Sequence, residues 1–134
     1  MVGISNLKTL LRLMNPVLID EEFVFCTISE IRFFQLEITP LLMFREKEGI
    51  SLILKKGDAD LNSLDYTGVW SWIILSVHSD LAAIGLLAAI TNKFAKSGIS
   101  VNVVSAFFHD HLFVPLEQAH KAMILLEELS SSEV

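Results

Sequence analysis

The chain of 134 residues carries 10 basic against 16 acidic side chains, a net charge of −6, with 52% apolar residues and a mean hydropathy of +0.55. That length bounds it to one domain or two small ones packed tightly together. The negative balance argues against nucleic acid, whose phosphates need clustered Lys and Arg, and Lys55-Lys56 is the only adjacent basic pair.

The longest uninterrupted apolar run, Leu81 to Ile90, is far short of the ~20 residues that a spanning helix needs. The opening MVGISNLKTLLRLMNP lacks the long apolar core and small-residue cleavage site of a signal peptide. The apolar excess is therefore expected between subdomains or subunits. A lone cysteine, Cys26, excludes an intramolecular disulfide and fits a reducing cytoplasm.

In chain order, Leu7, Leu10, Leu11 and Met14 recur at helical spacing and predict an amphipathic helix over residues ~5–14, stopped at Asn15-Pro16. Asp20-Glu21-Glu22 reads as a turn into a strand, Phe23 to Ile28. Ser29 to Pro40 has no clear period and reads as a connection with room for a turn of helix. Leu41–Glu46 and Ile50–Leu54 predict a hairpin closed by Lys47-Glu48-Gly49. A polar stretch, Lys56 to Ser63, has room for a short helix capped by Asp58, and Asp65-Tyr66-Thr67-Gly68 reads as a linker.

The next strand alternates, with Trp70, Trp72 and Ile74 on one face and Val69, Ile73 and Leu75 on the other. Ser79 is a good N-cap for a helix from Asp80 to Ser97, apolar almost all round in its first half and so expected to be largely buried. Gly98 can end that helix in the left-handed region. A β-branched strand, Ile99 to Val104, then leads through the polar His109-Asp110-His111 to Leu112-Phe113-Val114. Pro115 suits the first turn of a last helix, to about Ser130, with Leu116, Ala119, Met123 and Leu126 on one stripe. Strand, helix, strand, strand, helix predicts an α/β (α+β) half with an open, ferredoxin-like antiparallel sheet and helices on one face. The strand that normally closes such a sheet is absent after Ser130, and one from residues 1–66, with Phe23 to Ile28 the first candidate, is expected to replace it.

The βαββα order with SGISVNVVS and HDHLFVP resembles the paired ACT domains of small bacterial proteins. It is also similar to the arginine-sensing CASTOR type, whose closing ACT module has a glycine-initiated strand and an F-D-H-x-x-V-P run. Ser97-Gly98-Ile99 resembles the glycine turn of aspartate kinase regulatory domains. The likeness is strongest over Trp70 to Leu129. It implies two ACT-like halves, residues 1–66 and 67–134, with a ligand site between paired modules, an amino acid as the usual ligand and regulation as the output. The 134 residues hold no kinase, dehydrogenase or other catalytic domain, so the controlled partner is expected to be another chain.

An amino acid needs donors for its carboxylate and acceptors for its ammonium. The helix opening at Asp80-Leu81 would offer unpaired N–H groups. Gly98 permits close approach, and the edge from Ile99 to Ser105 can present backbone groups. Asp110 matches the aspartate of the D-H-x-x-V-P run and could hold a cation by a charge-assisted bond, while Asn102 and Ser105 are weaker candidates. Against these stand plainer roles: Gly98 as a helix cap, Asp110 as a turn residue, polar strand residues facing water.

His109 and His111 would share a strand face, with His78 a conceivable third metal ligand, but histidines beside a turn are usually exposed or hydrogen-bonded. Cys26, inside an apolar strand, reads as a buried hydrophobe rather than a nucleophile. Trp70 and Trp72 could stack on a ligand, though packing is the commoner use. No glycine-rich phosphate loop, nucleophile elbow or H-E-x-x-H motif is present. The sequence therefore predicts a non-catalytic cytoplasmic sensor, homodimeric, with no cofactor, metal, nucleic acid or membrane. The competing reading is a constitutive interaction or assembly module without a ligand.

Overall fold

The computed structural model describes residues 6–78 and 84–131. Helix α1 (Leu7–Arg12) is followed by strands β1 (Pro16–Leu18) and β2 (Phe23–Ile28), helix α2 (Glu30–Gln35), strands β3 (Leu42–Arg45) and β4 (Ile50–Lys55), and helix α3 (Lys56–Leu61). Then come strand β5 (Trp70–Leu75), helix α4 (Leu86–Lys96), strands β6 (Asn102–Ser105) and β7 (Asp110–Pro115), a 3-10 turn (Leu116–Gln118) and helix α5 (Ala119–Ser131). The chain forms two compact units, one from residues 1–20 with 71–134 and the other from residues 21–70.

In the first unit the strands lie in the order β1-β5-β7-β6. The β5 alternation holds: Ser71, Ile73 and Leu75 are buried while Trp72 and Ile74 are half-buried. Ile73, Leu75, Leu112 and Val114 meet Leu10, Met14, Ile90, Phe94, Ala122 and Leu126 in one apolar core, which places α1, α4 and α5 on one face of the sheet. Burying a side chain the size of Phe94 or Leu126 is worth about 1.5–3 kcal/mol, and both are fully buried. Asn6 caps α1, its side chain accepting from the Thr9 N–H at 3.1 Å.

Strand β1 runs antiparallel to β5, Pro16 opposite Leu75 and Leu18 opposite Ile73. Two strands from residues 1–66 thus meet β5: Pro16–Leu18 along Leu75 to Ile73, and the expected Phe23–Ile28 at one position, Phe23 opposite Trp70, while it pairs along its whole length with β4. Proline is tolerated because it is the first residue of the strand. Asn15, at φ +42, turns the chain out of α1, a left-handed position that asparagine accepts better than most residues.

The second unit is built on the β2–β4 ladder, with β3 outside β4. Val24, Cys26, Ile28, Ile50, Leu52 and Leu54 form its core with Ala59 and Leu64. The β3–β4 hairpin closes by bonds between Glu46 and Gly49, whose N–H groups donate to each other's carbonyls at 2.9 and 3.3 Å. A Cβ on Gly49 would lie 3.0 Å from the Ile28 carbonyl oxygen, so close approach of two backbones requires glycine there.

Several local expectations change. The segment from Ser29 holds α2, with the Ser29 hydroxyl accepting from the Arg32 N–H at 3.2 Å. Asp58 lies in the first turn of α3 rather than capping it; Lys55 occupies the cap with no side-chain bond. Pro115 ends β7 and precedes the 3-10 turn, while Leu116 stays 39% exposed and Ala122 joins Ala119 and Leu126 on the buried stripe. The described α4 opens at Leu86 behind Gly85, and its burial follows the single stripe Leu86, Ile90, Phe94 rather than its whole circumference. The expected cap Ser79 lies outside the described residues.

Gly98 ends α4 at φ +74. The Gly98 N–H donates to the Ala95 carbonyl at 3.2 Å and the Ile99 N–H to that of Phe94 at 2.9 Å, the crossed pair of a Schellman stop. These bonds hold Ile99 in the cap, so the strand begins at Asn102. A Cβ at Gly98 would meet nothing within 4 Å, which leaves φ as the only cost of substitution. Gly98→Ala is expected to lower the unfolding free energy by about 1–2 kcal/mol, and Gly98→Asn by less, since asparagine accepts positive φ. Urea unfolding of the three proteins checks this; equal losses would show that something other than φ selects glycine.

Candidate functional site

The end of α4 presents carbonyls with partial negative charge, and donors already meet two of them. Gln118 Nε2 donates to the Gly98 carbonyl at 3.2 Å and Lys121 Nζ to that of Ser97 at 2.9 Å. Gly98 is exposed with open space where a side chain would stand, so a small molecule can approach its backbone. Ile99 points the other way, its side chain buried in the core.

In the β6–β7 hairpin Ser105 stands opposite Asp110 and Asn102 opposite Phe113. Directly opposed residues share a face and alternate residues share a side. Ser105 and Asp110 therefore lie together on the face of Val103 and Leu112, which is the helix side. Asn102, three residues before Ser105, is on the other face with Val104, His111 and Phe113. The register thus brings Ser105 and Asp110 together and separates Asn102 from them. Asp110 is 8% exposed and begins β7, so it is a buried strand residue rather than a turn residue. The turn itself is Ala106–His109, closed by the Ala106 N–H donating to the His109 carbonyl at 3.0 Å. Asp80 and Leu81 lie outside the described residues.

His109 stands in that turn and His111 in β7, their ring centroids 6.5 Å apart. His78 packs against Phe108 at 5.6 Å. Among the described residues no three of His, Cys, Asp and Glu gather as a metal ion would require. Instead, Trp72 Nε1 donates to His111 Nδ1 at 3.0 Å, and the indole stacks on Phe113 at 6.3 Å and 15°. Burial pushes the His111 pKa down, the nearby His109 adds to this, and Asp110 opposes it. Sequence reading treats Trp72 and His111 separately, because only the adjacency of β5 and β7 brings them together. Gln118 and Lys121 are likewise invisible as cap donors; a lysine in the first turn of a helix carries no signal of its target.

In the second unit, Trp70 packs edge-on against Phe25 at 5.4 Å. Burial, helped by Asp65, raises the Cys26 thiol pKa, in keeping with an inert packed side chain. A cleft of about 360 Å³ lies between the bend at Glu21-Glu22 and the start of α3. Its cations are already paired, Lys55 with Glu21 at 3.4 Å and Lys56 with Asp60 at 3.0 Å. The Tyr66 hydroxyl also donates to Asp60 at 2.7 Å, holding that carboxyl below its usual range.

Family models of the ACT domain match residues 2–71 and 70–128. No curated protein sequence matches the chain. Among solved structures, a Vibrio cholerae protein of unknown function, described as a possible transport protein, is 39% identical over 93% of this chain and 96% of its own, with a TM-score of 0.81. A protein from Agrobacterium tumefaciens is 19% identical, covering 86% of this chain and 87% of its own at a TM-score of 0.63. The ligand-free regulatory subunit of aspartate kinase from Thermus thermophilus shares the fold at 11% identity, over 92% of this chain and 99% of its own, with a TM-score of 0.67. Two family matches end to end, on an α/β, ferredoxin-like antiparallel framework, show that the chain belongs to the ACT-domain family as a tandem pair.

Proposed function

We propose that the protein is a non-catalytic cytoplasmic sensor that binds a small polar molecule, an amino acid by class, and acts on a protein partner. The observation that carries this is the match of ACT domains along both parts of the chain, since such domains are regulatory, ligand-binding modules. We take the halves as residues 1–66 and 67–134, the second completing its sheet with a strand of the first. The pairing of Pro16–Leu18 with Ile73–Leu75 supports that shared strand.

Asp110 with Ser105 supplies acceptors for the ligand ammonium, and the exposed backbone at Gly98 and Ile99 supplies polar groups beside them. Asp80 and Leu81 complete the proposed set. Asn102, on the opposite face, is the member with least support. Ligand would act by population shift, favouring whichever arrangement it binds better.

Thermal unfolding against a panel of free amino acids tests the reading. A ligand that binds only the native state at a hundred times its Kd adds about 2.7 kcal/mol of stability. A panel with no response would favour a constitutive interaction module. With the best ligand in hand, Asp110→Asn removes the charge and keeps the shape. A charged hydrogen bond is worth about 1.5–3 kcal/mol, so calorimetric affinity should fall roughly ten- to hundredfold. Ligand-free unfolding of the same variant separates roles: lost binding with stability intact assigns Asp110 to the ligand, and unchanged affinity removes it from the site.

Large apolar side chains on the surface, Phe34, Phe44 and Phe107 among them, support a homodimer. Sedimentation at low micromolar concentration should show a dimer or larger, and a monomer there would overturn this part of the reading.

A further inference from the structure

We propose that Trp72 and His111 form a proton-operated latch between β5 and β7, closed while the imidazole is neutral and released when it takes up a proton. The indole N–H is a donor only, and it meets His111 at Nδ1 at 3.0 Å. That bond requires Nδ1 to accept, which puts the single ring proton of neutral His111 on Nε2. A proton arriving from solvent must add at Nδ1, the one ring nitrogen with a basic lone pair, and so competes with the indole for it. The bond then becomes two N–H groups pointing at each other, and it cannot persist. Because the same indole stacks on Phe113, release loosens a second contact between β5 and β7 as well.

The surroundings oppose the charged form. His111 is half-buried, so water reaches its ring without solvating it fully. Within its own segment it faces His109, whose ring repels an imidazolium when itself protonated, and Asp110, which attracts one. From β5 it meets Trp72, and from β6 its cross-strand partner is Val104, neither of which titrates. Among the described residues, Asp110 is thus the one anion favouring protonation, and burial with His109 outweighs it.

The sign of the linkage follows. A base whose folded pKa is depressed contributes stability that is fully present above its unfolded value, about 6.5 for histidine, and lost as pH falls through the lower folded value. The latch is therefore closed at neutral pH and opens on acidification below about 6.5.

Nuclear magnetic resonance on the full chain tests it directly, following the His111 ring and both indole N–H signals from about pH 8 to about pH 5. The Trp72 indole signal should shift with the same midpoint as the His111 ring, and its protection from solvent exchange should fall by on the order of tenfold. The Trp70 indole should not follow that midpoint. In His111→Gln, whose side-chain oxygen accepts from the indole but does not titrate, the transition at Trp72 should disappear. Titration of His111 without a response at Trp72, or a response that persists in His111→Gln, would overturn the latch. If that variant does not fold, coincidence or divergence of the two midpoints in the unaltered protein decides the matter alone.

Discussion

The reversal at Gly98 is the constraint on which the first unit is arranged. Helix α4 brings Leu86, Ile90 and Phe94 onto the sheet, and the crossed bonds at Ala95 and Phe94 stop it with Ile99 turned inward. From that point the chain has only Ser100 and Val101 before β6 begins, so the position of the helix end fixes where the hairpin starts. Gln118 and Lys121 then bind the carbonyls of the same turn from the segment that follows the hairpin. Helix end, hairpin and last helix are in this way referred to one backbone position. Neither side-chain bond is buried, so each adds little energy by itself; what they add is a common origin for three elements.

The hairpin inherits from this a clear division of labour between its faces. Val103, Leu112 and Val114 belong to the core beneath the helices. Ser105 and Asp110 continue that face to its polar end, where the alternation of the strands places a carboxylate next to a hydroxyl. The opposite face carries the Trp72–His111–Phe113 stack. A carboxylate–hydroxyl pair and an aromatic stack sit on two sides of one short ribbon, since a period of two allows no other outcome.

Much of this is legible in the sequence because it is governed by local rules. The alternation of Trp70 to Leu75, the β-branched run after Gly98 and the glycine stop itself are one-segment signals, and the βαββα order follows from them. The paired ACT framework came from the residues SGISVNVVS and HDHLFVP rather than from periodicity. What was not legible depends on partners far along the chain. Strand β1 has three residues, two of them exposed, and becomes a strand only because β5 offers it a ladder. Asn102 and Ser105 looked equivalent until the register with β7 sorted them to opposite faces. Asp110 reads as a turn residue from its neighbours His109 and His111, and its burial comes from the sheet rather than from its own propensity. Helix α2 is legible only as room for a turn of helix, because its apolar residues Ile31 and Phe34 face outward and leave no periodic buried stripe.

Cys26 gives the second unit a property of a different kind. It is the single thiol of the chain, 6% exposed in the middle of β2, and burial disfavours the thiolate that alkylating and oxidising reagents attack. In the closed fold such reagents meet neither an accessible sulfur nor a reactive one. Modification must wait for the apolar cluster over Cys26 to open, so the rate of thiol labelling counts the openings of that cluster. The protein carries its own clock for local unfolding, in the unit that lacks the β6–β7 hairpin and the latch.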